Sequence, residues 1–133
     1  MAIPLQITVD ARDPHRLAAF WAVALGYVLQ PPLPGYLVNG EDGSGEEQYT
    51  AIVDPAGVGP RLLFQRVVEP KTGKNRVHLD VNAGHGAIDR RAAVRAHVAR
   101  LVAAGATVVR ENQEESGWWV VLTDPEGNEF CLQ

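Results

Sequence analysis

The sequence predicts an α+β fold built from two copies of one strand–helix–strand–strand–strand module. Three observations predict it. First, Tyr49-Thr50-Ala51-Ile52-Val53-Asp54-Pro55-Ala56-Gly57 recurs half a chain later as Trp119-Val120-Val121-Leu122-Thr123-Asp124-Pro125-Glu126-Gly127. Each copy is an apolar run closed by Asp-Pro-x-Gly, the pattern of a strand entering a tight turn. Second, another apolar run follows each turn, Arg61 to Gln65 and Glu129 to Gln133. Third, each copy is preceded by a helical stretch ending near glycine and, before that, by an alternating strand, Gln6 to Asp10 and Arg76 to Val81. The order thus repeats over about 65–70 residues, the length of a small structural repeat.

In the first module, period-two alternation packs Ile7 and Val9 under the helix and turns Gln6, Thr8 and Asp10 the other way. Asp13 caps the first helix, and Pro14 suits its first position. Leu17, Phe20, Trp21, Ala24 and Leu25 recur at helical spacing, and Gly26 ends the helix. The run Pro31-Pro32-Leu33-Pro34-Gly35 cannot be an internal strand. Glu41 to Glu47 is acidic and glycine-rich and reads as a mobile surface loop. In the last strand of the module Leu62 and Phe64 pack, so Arg61, Leu63 and Gln65 share the face of Gln6.

Glu69 to Asn75 reads as a linker inside one domain spanning residues 1–133, because either half alone would leave a face of a small sheet uncovered. Module one is expected over about 1–68 and module two over about 76–133. In module two Val77, Leu79 and Val81 are expected to pack, leaving Arg76, His78 and Asp80 on the other face. Asp10 and Asp80 are read as partners of Arg76 or as strand-end caps. The second helix starts between Ala87 and Arg91, carries the stripe Val94, Val98, Leu101 and Val102, and closes at Gly105. In the final strand Phe130 and Leu132 pack, and Glu129, Cys131 and Gln133 face with His78.

Composition narrows the function. Of 133 residues, 46% are hydrophobic and 21% charged, as in an ordinary globular domain. Twelve basic residues against 16 acidic ones give a net charge of −4, which offers no electrostatic footprint for nucleic acid or for an anionic membrane. A single cysteine, Cys131, excludes an internal disulfide and a multi-cysteine zinc site. The N-terminus lacks the features of a signal peptide, and no apolar run is long enough for a membrane span, so a cytoplasmic protein is expected. No P-loop, dinucleotide-binding or nucleophile-elbow motif is present.

A resemblance sharpens this reading. Asp13-Pro14-His15-Arg16-Leu17-Ala18-Ala19-Phe20-Trp21, Leu25-Gly26-Tyr27, Val77-His78-Leu79-Asp80-Val81, Leu101-Val102-Ala103-Ala104-Gly105-Ala106 and Asp124-Pro125-Glu126-Gly127-Asn128-Glu129-Phe130 carry it, in order along the whole chain. The sequence resembles the vicinal oxygen chelate superfamily of glyoxalases, bleomycin-resistance proteins and extradiol dioxygenases. More narrowly it resembles the small glyoxalase-like proteins of actinobacterial type. The resemblance implies two βαβββ modules forming an incomplete mixed-sheet barrel around a cavity, and a homodimer.

It also implies where a metal would sit. Metal-using members hold one divalent cation with a side chain from the first and last strand of each module. Those positions fall here on Gln6, Leu63, His78 and Cys131. Leucine offers no donor, and a thiol suits a hard, oxygen-preferring cation poorly. No cofactor is therefore expected. A divalent cation would need the shifted set Gln6, Gln65, His78 and Glu129, two residues along the strands.

Two functions follow. The first is a metal-independent protein that holds or sequesters a small organic ligand, as bleomycin-resistance proteins do. Gln6, Gln65, His78, Trp119, Glu129 and Cys131 are its candidate binding residues. Trp118 and Trp119 are neighbours on a strand and point to opposite faces, so one of them can line the cavity. The alternative is a lyase or isomerase of the glyoxalase I or epimerase type, in which Glu129 and His78 are the candidate catalytic residues and move a proton. Cys131 reads as a small buried hydrophobe, because no cationic neighbour is evident to activate it.

Overall fold

Burial of one sheet face beneath a helix organises each half of the computed structural model, which describes residues 1–31 and 48–133. The Pro32 to Gly35 part of the proline-rich run and the acidic segment Glu41 to Glu47 lie outside the described residues. The chain divides into two units, Met1–Pro70 and Lys71–Gln133. Among the described residues each has one helix and a four-stranded mixed sheet, an α+β arrangement.

Unit 1 runs β1 (Ile7–Ala11), α1 (Pro14–Leu25), β2 (Val28–Gln30), β3 (Tyr49–Val53) and β4 (Leu62–Arg66). Its sheet order is β1-β4-β3-β2, with β1 parallel to β4 and the other pairs antiparallel. The Asp13 carboxylate accepts from the Arg16 main-chain N–H, satisfying a donor that the first turn leaves orphaned. Gly26 closes the helix at φ 69°, a left-handed conformation costly for any residue with a Cβ. The stripe read from the sequence buries Leu17, Phe20, Trp21 and Ala24, and Leu62 and Phe64 of β4 are buried with it.

Unit 2 repeats the topology with β5 (Asp80–Val81), α2 (Arg90–Ala103), β6 (Thr107–Glu114), β7 (Gly117–Thr123) and β8 (Glu129–Leu132). The order is β5-β8-β7-β6, again with the first and last strands parallel. Asp89 caps α2 by accepting from the Ala92 N–H. Phe130, Leu132, Val120 and Leu122 fill the α2-facing core. No described helix is long and apolar enough to cross a membrane.

Unit 2 departs from the expected pattern in two places. The strand expected over Arg76 to Val81 is cut to two residues, and Val77 is 80% exposed rather than packed. Asn75 is the reason. Its main-chain N–H donates to the Glu129 carboxylate at 3.0 Å, and its side-chain amide donates to the Glu129 carbonyl at 3.3 Å. Those contacts replace ladder bonds, which begin only where the Leu79 carbonyl accepts from the Cys131 N–H. On α2, Val94 and Leu101 are buried, Val98 is half-buried, and Val102 is 46% exposed. Val102 lies about 80° round the helix from Val94, outside so narrow a buried line.

The repeated Asp-Pro turns share one device. Asp54 accepts from the N–H groups of Ala56, Val58 and Gly59, which hold its carboxyl below the usual carboxylate range. Asp124 accepts from the N–H groups of Glu126 and Asn128 and from the Asn128 side chain. Gly57 and Gly127 follow at φ 70° and 85°.

Asp124 is 3% exposed, so its removal strands several buried donors. Asp124→Ala is expected to cost roughly 2–4 kcal/mol in urea unfolding, and the more solvated Asp54→Ala distinctly less. Asp54 also gives acid sensitivity. Its folded pKa is lowered, so its contribution is present above the unfolded value and is lost as pH falls through the folded one.

Candidate functional site

The face of the unit 2 sheet turned away from α2 carries the candidate site. Burying Phe130 and Leu132 under α2 forces Cys131 to the opposite face. Register then sets its neighbours. Cys131 lies opposite Asp80 on β5 and Val121 on β7. Trp119, two residues before Val121, lies on the same face opposite Asn112 of β6. A bulge between Val108 and Arg110 shifts the register, so that Arg110 lies opposite Val121 and joins this face. Together with Lys74, His78 and Glu129 these residues line a cavity of about 370 Å³, within the range of small-molecule pockets.

Three groups sit close together there. His78 Nδ1 is 3.0 Å from Asp80 Oδ1, and both side chains are about half exposed. Asp80 therefore pairs with His78 and not with Arg76, and Asp10 accepts from the Gln65 side chain. One donor atom each from His78, Asp80 and Cys131 lie within 4.8 Å of one another. Burial pushes the Cys131 thiol up, and the adjacent Asp80 carboxylate raises it further by charge and by hydrogen bonding. At neutral pH Cys131 is a thiol, not a thiolate.

Glu129 is at the rim and is tied to the chain before β5. It accepts from the Asn75 N–H and pairs with Lys71 at 3.3 Å. The Asn75 N–H, helped by Lys71, holds its carboxyl below the usual range. Trp119 borders this cavity, whereas Trp118 turns to the α2 side, where Arg91 and Arg95 lie 5.0 and 5.3 Å from its ring centroid.

The corresponding face of unit 1 is chemically different. The Gln6 carbonyl oxygen accepts from the Arg61 guanidinium at 2.6 Å, and Arg61 also donates to Gln30 at 2.6 Å. Gln65 donates to Asp10 at 2.7 Å. Leu63 lies between them on β4, opposite Thr8 of β1, and is buried. Gln6 and Gln65 thus belong to unit 1, and His78, Trp119, Glu129 and Cys131 to the unit 2 cavity.

Residues 6–133 match the glyoxalase-like domain family. The chain belongs to that family. It is therefore a member of the vicinal oxygen chelate superfamily. Solved structures share the fold. A hypothetical protein from S. aureus is 14% identical with a TM-score of 0.70, over 99% of this chain and 93% of that one. A glyoxalase/bleomycin resistance protein/dioxygenase family enzyme from Burkholderia phytofirmans is 18% identical with a TM-score of 0.64, over 96% and 94%. The fosfomycin resistance protein FosX from Listeria monocytogenes, solved with Mn(II) and a dihydroxypropylphosphonic acid, is 14% identical with a TM-score of 0.66, over 100% and 90%. Among curated proteins none matches the chain.

A cation of the manganese kind does not fit the family's four positions here. Leu63 supplies no donor atom, and the Gln6 oxygen already receives a guanidinium. His78 and Cys131 remain, joined by Asp80, a nitrogen–thiol–carboxylate set softer than such a cation prefers. Sequence reasoning weighed Asp80 only as a partner of Arg76 or a strand cap, and it missed Arg110. The i, i+2 spacing of His78 and Asp80 on an alternating strand was the available signal for the first. No residue type announces the bulge that turns Arg110 to this face.

The raised thiol predicts slow chemistry. At pH 8 Cys131 should alkylate with iodoacetamide well below the rate of an unhindered cysteine, read by mass spectrometry. Asp80→Asn, which removes the anionic neighbour, should speed the reaction. Equal rates for the wild type and a small thiol would refute the assignment.

Proposed function

We propose that this glyoxalase-like protein binds a small organic ligand in the unit 2 cavity without needing a metal. The observation that carries the reading is the contrast between the two sheet faces. In unit 1 the family's ligand positions hold leucine and an arginine-bound glutamine. In unit 2 the equivalent face keeps a cavity with one aromatic wall, Trp119, and polar groups of both signs. A planar, largely apolar molecule with a few hydrogen-bonding groups suits that lining. The protein sequesters such a ligand. Its location is a reducing cytoplasm, a reading supported by a single cysteine that can form no internal disulfide. The half-exposed valines and leucine of edge strands β2 and β6 support a homodimer.

A second reading rests on the His78–Asp80–Cys131 cluster. Such a donor set suits Zn²⁺ or Co²⁺ better than Mn²⁺. A cation held there would supply Lewis-acid polarisation of a substrate oxygen, the setting of a lyase or isomerase. Because Cys131 must lose its proton to ligate, affinity would rise with pH.

The two readings separate in one experiment. Protein purified without chelator or affinity nickel is assayed for metal, then melted with Zn²⁺, Co²⁺, Ni²⁺ and Mn²⁺. The binding reading expects no stoichiometric metal, no specific rise in Tm, and saturable quenching by a neutral aromatic compound that Trp119→Phe abolishes. A real cation site would raise Tm by mass action. Stoichiometric metal that disappears in His78→Ala overturns the first reading in favour of the second.

A further inference from the structure

The opposite side of the unit 2 sheet holds a second cavity, of about 600 Å³, between the first turns of α2 and the turn joining β6 to β7. Its wall includes Arg90, Arg91, Gln113, Ser116 and Trp118, with Trp119 and Gln133 at the border it shares with the His78 cavity. No aspartate or glutamate side chain lines it among the described residues. This matters in a chain whose net charge is −4. The arginines of this helix are not equivalent. Arg95 is neutralised by Glu111 at 3.2 Å. Glu111 also accepts from the Trp118 indole N–H at 3.3 Å. Arg91 lies 5.0 Å from the Trp118 ring centroid and donates to the neutral Gln113 amide, so its charge meets no anion among the described residues. Arg90 has no ion-pair partner among them either.

Two guanidiniums without counter-ions thus border a pocket that also presents an indole and neutral hydrogen-bonding side chains. A guanidinium carries five N–H donors in a planar fork, of which Gln113 takes one from Arg91. The remainder match the oxygens of a carboxylate, sulfonate or phosphate. The indole and the aliphatic Val94 supply apolar surface for a ring. We infer that this cavity beneath α2 binds a small anion carrying a flat aromatic ring, at a site separate from the His78–Cys131 cavity.

Trp118 lines only this cavity and His78 only the other, which allows a direct test. In Trp119→Phe protein, which leaves Trp118 as the one tryptophan bordering either cavity, 2-naphthoate should quench fluorescence saturably, and 2-naphthamide should quench far less. The further change Trp118→Phe should abolish the saturable part. Arg90→Gln with Arg91→Gln should weaken naphthoate binding at least about tenfold, as loss of charge-assisted hydrogen bonds does. Arg90→Gln alone, at an exposed position with no described ion pair, should weaken it in the same direction with circular dichroism unchanged. Added salt should weaken it too. Equal binding of naphthoate and naphthamide overturns the inference. So does an unchanged affinity in the double arginine variant, or no saturable quenching up to millimolar probe. Quenching that His78→Ala abolishes would place the probe in the other cavity and also overturn it, without touching the reading proposed for that cavity.

Discussion

Phe130 and Leu132, 1% and 0% exposed, pin the last strand of unit 2 beneath α2. Each such side chain stabilises by roughly 1.5–3 kcal/mol when fully buried. The half-exposed His78–Asp80 pair on the other face is worth at most about 1 kcal/mol, as exposed ion pairs are. The apolar anchors therefore decide the register, and the polar face accepts its consequences. A slip of one residue would drive Cys131 into the core and expose Phe130. Leu62 and Phe64 impose the same constraint on β4. The parallel pairing of first and last strands then fixes which residues meet: Thr8 with Leu63 in one unit, Asp80 with Cys131 in the other.

One scaffold therefore presents two different surfaces. In unit 1 the polar side chains of the face away from the helix are engaged with one another, with Arg61 bridging Gln6 and Gln30 and Gln65 donating to Asp10. In unit 2 the corresponding face keeps a cavity with a thiol, an imidazole and a carboxylate at its centre. The helices diverge too. The apolar stripe of α1 includes buried Phe20 and Trp21, whose rings meet edge to face at 5.7 Å. On α2 only Val94 and Leu101 are buried, and arginines cover Trp118 instead. Duplication explains the topology, while the differences between the copies locate the chemistry.

What the sequence revealed follows the same division. The repeat, the Asp13 cap, the Gly26 stop and the paired Asp-Pro turns were legible because local rules specify them. The faces of β4 and β8 were legible because period two is unambiguous where one face is fully buried. The early end of β5 was not, because it depends on Asn75 contacting Glu129, residues 54 positions apart. Nor was the place of Arg110, which a bulge without glycine or proline reverses. Which tryptophan faced which cavity needed the register of β7, and two adjacent aromatic residues carry no register of their own.

The hydrogen bonds around Asp80 give the unit 2 cavity a polarity. The 3.0 Å contact pairs His78 Nδ1 with Asp80 Oδ1, and in the tautomer that satisfies an accepting carboxylate Nδ1–H is the donor. The Cys131 thiol keeps its proton beside the same carboxylate. Asp80 thus gathers two donors. In neutral His78 the remaining nitrogen, Nε2, is left as an acceptor. Arg110 and Lys74 on the same cavity are donors. A ligand that satisfies this lining needs an N–H or O–H for His78, an acceptor for the cations, and a flat apolar surface for Trp119. A phenol or a heteroaromatic amide meets all three demands, whereas a simple hydrocarbon would leave the polar groups desolvated and unpaired.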